Sequence, residues 1–476
     1  MAKFQFNKSI FREYDVRGLA GKDLSEEFAR RLAWSYSAFV GSRKPLDGRK
    51  NLLIGIGRDC RLTSDAYAES FIRGLNENGI DVVRLGTCPT PLTYFSVFHL
   101  NLDGAVMITG SHNPAEYNGF KICVGRDTLH GSQIQELAKL FPVDELQPKA
   151  ASGSVRDHAI IPDYVAHLVK NAKPLKRKKI VIDAGNGTAS TVAPILFEKL
   201  GAEVVPLFCE LDGRFPNHHP DPTVVANLKS LIETVKKEKA DFGLAFDGDS
   251  DRIGLVDESG RVVFGDELMV MLSRDVLKHT PGATIISEVK SSHRLYQDIA
   301  AHGGKPLMWK TGHSLIKSKM KETKAALAGE MSGHIFFADR YFGYDDAIYA
   351  ALRIYEIASE VKGPISSTIS DLPKVIATPE IRIDCVEEKK FQLVEETKRL
   401  LSKGNKINDI DGVRVDFGDS WGLVRASNTQ PVLVLRYEAP NEARMKEVRH
   451  IVETALHQAA KTIQHPEISV DGGGGH

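Results

Sequence analysis

The sequence predicts an α/β architecture: three related α/β domains with mixed, mainly parallel sheets, then a C-terminal α+β domain. Three observations carry that prediction. Runs rich in Val, Ile and Leu, bounded by glycine, alternate with helical stretches, as expected of strands covered on both faces. One grammar then recurs in three segments: apolar strand, polar loop, helix, glycine, second strand, and a third strand that opens into a conspicuously polar loop. Past residue 376 the grammar changes to closely spaced strands and one long amphipathic helix.

Taken in order, NLLIGIG runs into RDCRLTS, a helical stretch ends at Gly79, IDVVRLG follows, and GAVMIT opens into GSHNP. The second copy matches step for step: KKIVIDAG, NGTAS, the helix TVAPILFEKL ending at Gly201, AEVVPLF, and DFGLAF opening into DGDSDR. The third is fainter, with ATIISEV, KSSHRLYQDIAAHGG, KPLMWKTGHS, and AALAG opening into EMSGH. GVRVDFG, WGLVRAS and PVLVLRYEA then read as antiparallel strands, and NEARMKEVRHIVETALHQAAKTI as the long helix. In parallel sheets ligands sit outside the carboxyl ends of strands, where all three polar loops fall. Joints placed in residues 142–160, in the turn DESG at 257–260 and in VKGPISSTISDLPK at 361–374 give domains 1–155, 156–258, 259–375 and 376–476.

Composition narrows the function. At about 150 residues per domain, a chain of 476 residues exceeds one hydrophobic core. Lys plus Arg total 62 and Asp plus Glu total 62, so no global field attracts nucleic acid or an anionic membrane, and any anion must be held locally. The five cysteines are odd in number, far apart and never Cys-x-x-Cys, which argues against a disulfide framework or structural zinc. The first residues lack the apolar core of a secretory signal, and no run approaches the roughly 18 apolar residues of a membrane span. A cytoplasmic setting is expected, with GGGGH as a flexible tail.

Four short motifs carry chemistry. FDGDSDR places Asp247, Asp249 and Asp251 at i, i+2 and i+4 on a loop after an apolar strand; three like charges so close favour a hard divalent cation with oxygen ligands, with a solvated acidic turn as the alternative reading. An EF-hand is rejected, because Arg252 stands where that loop needs glycine and IGLVD reads as a strand. Ser111 in TGSHNP follows a strand in a sharp polar turn; on its own it reads as an ordinary turn or cap serine, since His112 is its direct sequence neighbour and no Gly-x-Ser-x-Gly elbow is present. Arg425, Ser427, Asn428 and Thr429 in VRASNTQPV are the parts of a phosphate cradle, with a polar hairpin connection as the equal alternative. GEMSGH offers a carboxylate, a hydroxyl and an imidazole suited to sugar hydroxyls.

FREYDVRG, TGSHNP, DGDSDR, GEMSGH and RASNTQP, in this order over residues 11 to 431, resemble the alpha-D-phosphohexomutase superfamily across essentially the whole chain. Within it, GEMSGH, KTGHSLIK and the DGDSDR variant resemble the bacterial phosphomannomutase/phosphoglucomutase branch. The resemblance implies four domains around a central cleft, each giving one loop. It implies Ser111 as the phosphoserine, with His112 and Asn113 in its loop, and one Mg2+ held by Asp247, Asp249 and Asp251 against Ser111. Glu330 and Ser332 would read sugar hydroxyls, while Arg425, Ser427, Asn428 and Thr429 would grip the non-transferring phosphate. Arg17, Lys121, His313 and His334 would transfer protons or stabilise charge, and Tyr14, Arg252 and Lys290 would position the ligand. The implied reaction interconverts hexose 1- and 6-phosphates of mannose and glucose through a hexose 1,6-bisphosphate, in a monomer or weak homodimer. A phosphoglucosamine mutase, a Mg2+-dependent phosphatase and a non-catalytic sugar-phosphate binder are the alternatives.

Overall fold

The computed structural model describes residues 3–149, 152–428, 430–466 and 468. Three sheets repeat one plan. In the first, Leu53–Arg58 lies between parallel strands Asp81–Thr87 and Gly104–Ile108, and Tyr117–Val124 returns antiparallel beside the latter, with Val16–Leu19 beyond. In the second, Lys179–Asp183 lies between Glu203–Leu207 and Phe242–Phe246, and Ile253–Asp257 returns. In the third, Thr284–Glu288 lies between Lys305–Trp309 and Leu327–Gly329, and Ile335–Phe337 returns. Each expected polar loop is the link between the third parallel strand and the returning strand, so all three protrude at the carboxyl ends of their sheets.

The local chemistry explains the repeat. The strands Gly104–Ile108 and Phe242–Phe246 are buried at every position, which suits their unbroken apolar composition. The helices Ser64–Asn76, Ala193–Lys199 and His293–Ala301 are each followed by a glycine in the left-handed region, Gly79, Gly201 and Gly303 (φ 76°, 85° and 78°), where a Cβ would be strained.

The fourth sheet is antiparallel, with Val432–Ala439 between Trp421–Ala426 and the strands Ile376–Ala377 and Ile381–Asp384. Helices Lys390–Leu401 and Glu442–Thr462 pack against it; Asn441 caps the latter by accepting from the Arg444 amide.

One joint falls elsewhere than the sequence places it, and one domain bound moves within its expected stretch of 142–160. The strand Val155–Asp157 pairs with Asp81–Thr87, so the first sheet runs past residue 155. DESG is not a linker but a hairpin turn inside the second sheet: Asp257 accepts from the Ser259 and Arg261 amides, Gly260 takes φ 84°, and Val262–Val263 pairs back with Leu255 and Val256. Turn chemistry is the same in a hairpin as in a linker, and only strand pairing separates them. No helix among the described residues is long and apolar enough to cross a membrane.

Candidate active site

The serine loop leaves Gly104–Ile108 at Thr109 and holds Ser111 at φ 49°, an uncommon backbone for a residue with a side chain. Ser111 is buried, and its Oγ donates to Asp247 Oδ2 at 3.0 Å across the boundary between the first two domains, with His112 Nδ1 3.2 Å away. Asp247, Asp249 and Asp251 are fully buried, with one ligand oxygen of each within 4.8 Å of the others. The loop turns tightly because Asp247 Oδ1 accepts the amides of Asp251 and Arg252. Thr90 ties it to the first domain, its Oγ1 donating to Asp249 Oδ2 at 2.6 Å and its amide to the Asp249 carbonyl.

Lys121, on the returning strand of the first sheet, reaches into this cluster. Its Nζ donates to Asp249 Oδ2 at 2.6 Å and to Asp251 Oδ2. Burial opposes the Lys121 charge, but Asp249, Asp251 and Asp247 outweigh it and raise the pKa. Burial likewise works against the Asp249 carboxylate, and Lys121 overrides it to hold that pKa down. Asp247 is pushed well above the usual carboxylate range by burial and by its two acidic neighbours. Three acidic side chains crowd the one ammonium that bonds to them, and Asp249 Oδ1 and Asp251 Oδ1 are buried without a hydrogen-bond partner. An oxygen-only, anionic set with orphaned ligand atoms fits a hard divalent cation.

Around this centre stand the other expected residues. Arg17 pairs with Asp15 and donates to Asn113 Oδ1 at 2.9 Å, steadying the serine loop. Arg252 Nε donates to His334 Nε2 at 3.0 Å, while His334 Nδ1 lies 3.2 Å from Asp345 Oδ2 and 3.6 Å from Asp251 Oδ1. His313 stacks on His334 with ring centroids 5.3 Å apart; burial, then Lys317, holds its pKa well below the ordinary value. His112 is lowered in the same way by burial, Arg252 and Arg17.

In the GEMSGH loop, Glu330 Oε1 accepts the Gly312 amide at 2.6 Å, and burial together with Glu288 raises its pKa to about 7. Ser332 sits half-buried in the same turn. Across the cleft, Tyr14 OH donates to the Thr311 carbonyl at 3.0 Å and accepts from Asn428 Nδ2 at 3.2 Å, joining first, third and fourth domains. Arg425 Nε pairs with Asp411 at 3.1 Å, and Ser427 Oγ accepts the Gln430 amide. Thr429 lies outside the described residues. Lys290 is held by Glu380 at 2.5 Å and lies 3.4 Å from Glu288.

Sequence reasoning missed Thr90, Glu288, Asp345 and Asp411, the side chains that hold the named groups in place. Glu288 accepts from Thr311 Oγ1 and the Met331 amide, and Asp345 from Lys317 Nζ at 2.9 Å. One signal existed. Asp59, Asp183 and Glu288 are buried acids at the carboxyl end of the first strand of each repeat, a position that the repeat itself singles out.

A buried, anionic oxygen cluster facing a serine, opposite a guanidinium loop across a four-domain cleft, defines an enzyme for phosphate esters. The chain matches, in order, the families described as phosphoglucomutase/phosphomannomutase alpha/beta/alpha domain I over residues 8–144, domain II over 162–260, domain III over 264–376 and the C-terminal domain over 380–455. A phosphomannomutase/phosphoglucomutase of Pseudomonas putida is 46% identical over 459 residues, 96% of this chain and 97% of that protein. A phosphoglucomutase of Neisseria gonorrhoeae is 43% identical over 446 residues, 93% of this chain and 95% of its own length. The crystal structure of a phosphoglucomutase/phosphomannomutase family protein from Burkholderia thailandensis superposes with a TM-score of 0.88 at 38% identity, covering 96% of this chain and 98% of that one. The chain belongs to the phosphoglucomutase/phosphomannomutase family of alpha-D-phosphohexomutases, which makes it an isomerase.

Proposed function

We propose that this isomerase moves a phosphoryl group reversibly between the 1- and 6-positions of glucose and mannose phosphates, with Ser111 carrying the group between them. The observation that supports this reading most is the placement of Ser111 Oγ 3.0 Å from Asp247, within the buried acidic cluster that fits a divalent cation. Phospho-Ser111 gives its phosphoryl group to the free O6 or O1 of a hexose monophosphate. The P–Oγ bond breaks, a P–O bond to the sugar forms, and the hydroxyl proton leaves to a neighbouring base. The resulting 1,6-bisphosphate turns around and returns its other phosphoryl group to Ser111.

Each part has a role in that cycle. Mg2+ bound by Asp247, Asp249 and Asp251 would neutralise charge on the transferring phosphoryl oxygens. Lys121, Arg17 and Arg252 add cationic lining against two phosphoryl groups of roughly −1.5 to −2 each. His334 would take and return the hydroxyl proton at Nε2 once the ligand draws Arg252, which donates to that nitrogen, away from it; its Nδ1 lies toward Asp345 and His313 stacks behind it. Glu330 and Ser332 accept sugar hydroxyls in either orientation of the ring. Arg425, Ser427, Asn428 and Thr429 grip the phosphate that is not being transferred, and Tyr14 and Lys290 help close the site over the ligand. All five cysteines are unpaired, which supports a reducing, cytoplasmic setting.

Phosphorus NMR with Mg2+, a trace of glucose 1,6-bisphosphate and either glucose 1-phosphate or mannose 1-phosphate tests this. The matching 6-phosphate should grow in without inorganic phosphate, at rates that reveal the sugar preference. Inorganic phosphate alone would mean a phosphatase, and no change would refute both substrates.

A further inference from the structure

We infer that Arg61 is the positioning residue that fixes the serine loop for phosphoryl transfer. This rests on reading Ser111 as the group that carries the phosphoryl. Residues 110–116 have no helix or strand to hold them, yet Ser111 must keep a left-handed backbone and an Oγ aimed across a domain boundary. Arg61 supplies the missing scaffold. Its Nη2 donates to the carbonyls of Ser111 (2.7 Å) and Asn113 (2.5 Å), and its Nη1 to those of Pro114 (2.5 Å) and Tyr117 (2.9 Å). The loop is wrapped around one guanidinium whose side chain has no exposure to solvent.

Two further contacts turn this into a clamp. Asp59, 3.3 Å from Arg61 Nε, also accepts the Gly110 amide at 3.1 Å, so one buried ion pair holds the entry and the body of the loop together. Gly110 is required there, because a Cβ would fall 2.5 Å from the Arg61 guanidinium carbon. The second domain presses on the clamp from outside. The Phe215 ring lies 5.1 Å from the guanidinium, and a Cβ on Gly213 would fall 2.6 Å from Arg61 Cα. The domain that carries the acidic loop is thus indexed directly against the residue that shapes the serine loop, and this contact adds to those of Thr90 and Lys121 in setting the Ser111–Asp247 spacing.

Only arginine meets this geometry. Its planar fork sends four N–H groups in fixed directions to four carbonyls, whereas a lysine ammonium is a single point with three donors. Displacing a reacting atom by a fraction of its contact distance slows the chemical step and leaves remote binding contacts untouched.

The test is Arg61→Lys in the full chain, with Mg2+ and glucose 1,6-bisphosphate present. We expect kcat with glucose 1-phosphate to fall about 100-fold while KM stays within about 3-fold, with the protein still folded by its melting curve. A kcat near that of the unmodified enzyme overturns the inference, as does a rate loss that merely tracks the folded fraction. Ser111→Ala separates the two ideas: activity in that variant removes the reading of Ser111 itself, whereas an inactive Ser111→Ala beside a fully active Arg61→Lys removes only the clamp. Should Arg61→Lys fail to fold, Gly110→Ala decides, since its Cβ would fall 2.5 Å from the guanidinium carbon and push the fork off the loop carbonyls. A kcat loss of about 10-fold or more at KM within about 3-fold supports the clamp, and unchanged kcat overturns it.

Discussion

In the first three domains one apolar cluster runs unbroken from Val83 and Phe95 through Phe197 and Leu244 to Ile285 and Ile354, so three sheets share a core on one face, while the first domain has a second core of its own on the other. The C-terminal domain instead keeps a core of its own, including Ile381, Val424, Leu435 and Val452. It meets the body through a small apolar contact of Val289, Trp421 and Leu423. Polar fasteners complete that junction: Arg414, stacked 3.7 Å over Trp421, donates to the carbonyls of Val289 and Ser291, and Arg436 donates to that of Lys290. The groups proposed for bond making stand on the fused body, and the loop proposed to grip the non-transferring phosphate stands on the fourth domain. This division supports a cleft that opens at the fourth domain while Ser111, Lys121 and the aspartates keep their spacing.

The contrast can be broken first at the body. Ser111→Ala should lower kcat by about 10⁴-fold or more while glucose 1-phosphate still binds within a few-fold by calorimetry, because the gripping loop is intact. Next comes the metal loop. Asp249→Asn should cost about 10²- to 10³-fold in kcat and shift the Mg2+ titration to higher concentration, since it weakens one ligand and the hydrogen bond from Thr90. An unshifted titration would remove Asp249 from the ligand set.

Changes on the fourth domain, or at its contact with the body, should instead act on binding. Arg425→Ala should raise KM about 10- to 100-fold with a smaller fall in kcat, the mark of an interaction shared by ground and transition states. Tyr14→Phe, which removes the hydroxyl linking Thr311 to Asn428, should raise KM only about 2- to 5-fold. A kcat loss larger than the KM change in either variant would dissolve the division of labour.

The smallest effect is a pH dependence of stability that carries opposite signs in the two regions. Glu330, raised to about 7 against 4.5 when unfolded, contributes stability that is full below about 4.5 and is lost as pH rises through about 7. Glu380 is lowered to about 2, burial being overridden by Lys290, so its contribution is present above about 4.5 and is lost as pH falls toward about 2. Melting temperatures between about pH 4.5 and 7 should therefore fall less steeply in Glu330→Gln than in the unmodified protein. Glu380→Gln should change the slope only on the acid side.

Much of this was legible beforehand because its signals are local. Periodicity and glycine punctuation located the strands Leu53–Arg58, Lys179–Asp183 and Thr284–Glu288, and the repeat placed three polar loops at the carboxyl ends of sheets. DESG misled because a hairpin turn and a linker use the same residues. Ser111 read as an ordinary turn serine on its own residues, and only the family resemblance raised it to a nucleophile.

What the chain decides by itself is thus the class of fold, the repeat and the inventory of reactive groups, since these depend on residue type and near-neighbour spacing. What only the tertiary structure decided is which groups act on one another. Ser111 meets Asp247 across 136 positions of sequence, Lys121 reaches Asp249 across 128, and Asn428 touches Tyr14 across 414. Arg61, unremarkable in sequence, becomes the centre of a loop because carbonyl groups, which every residue carries, converge on it only once the backbone has folded.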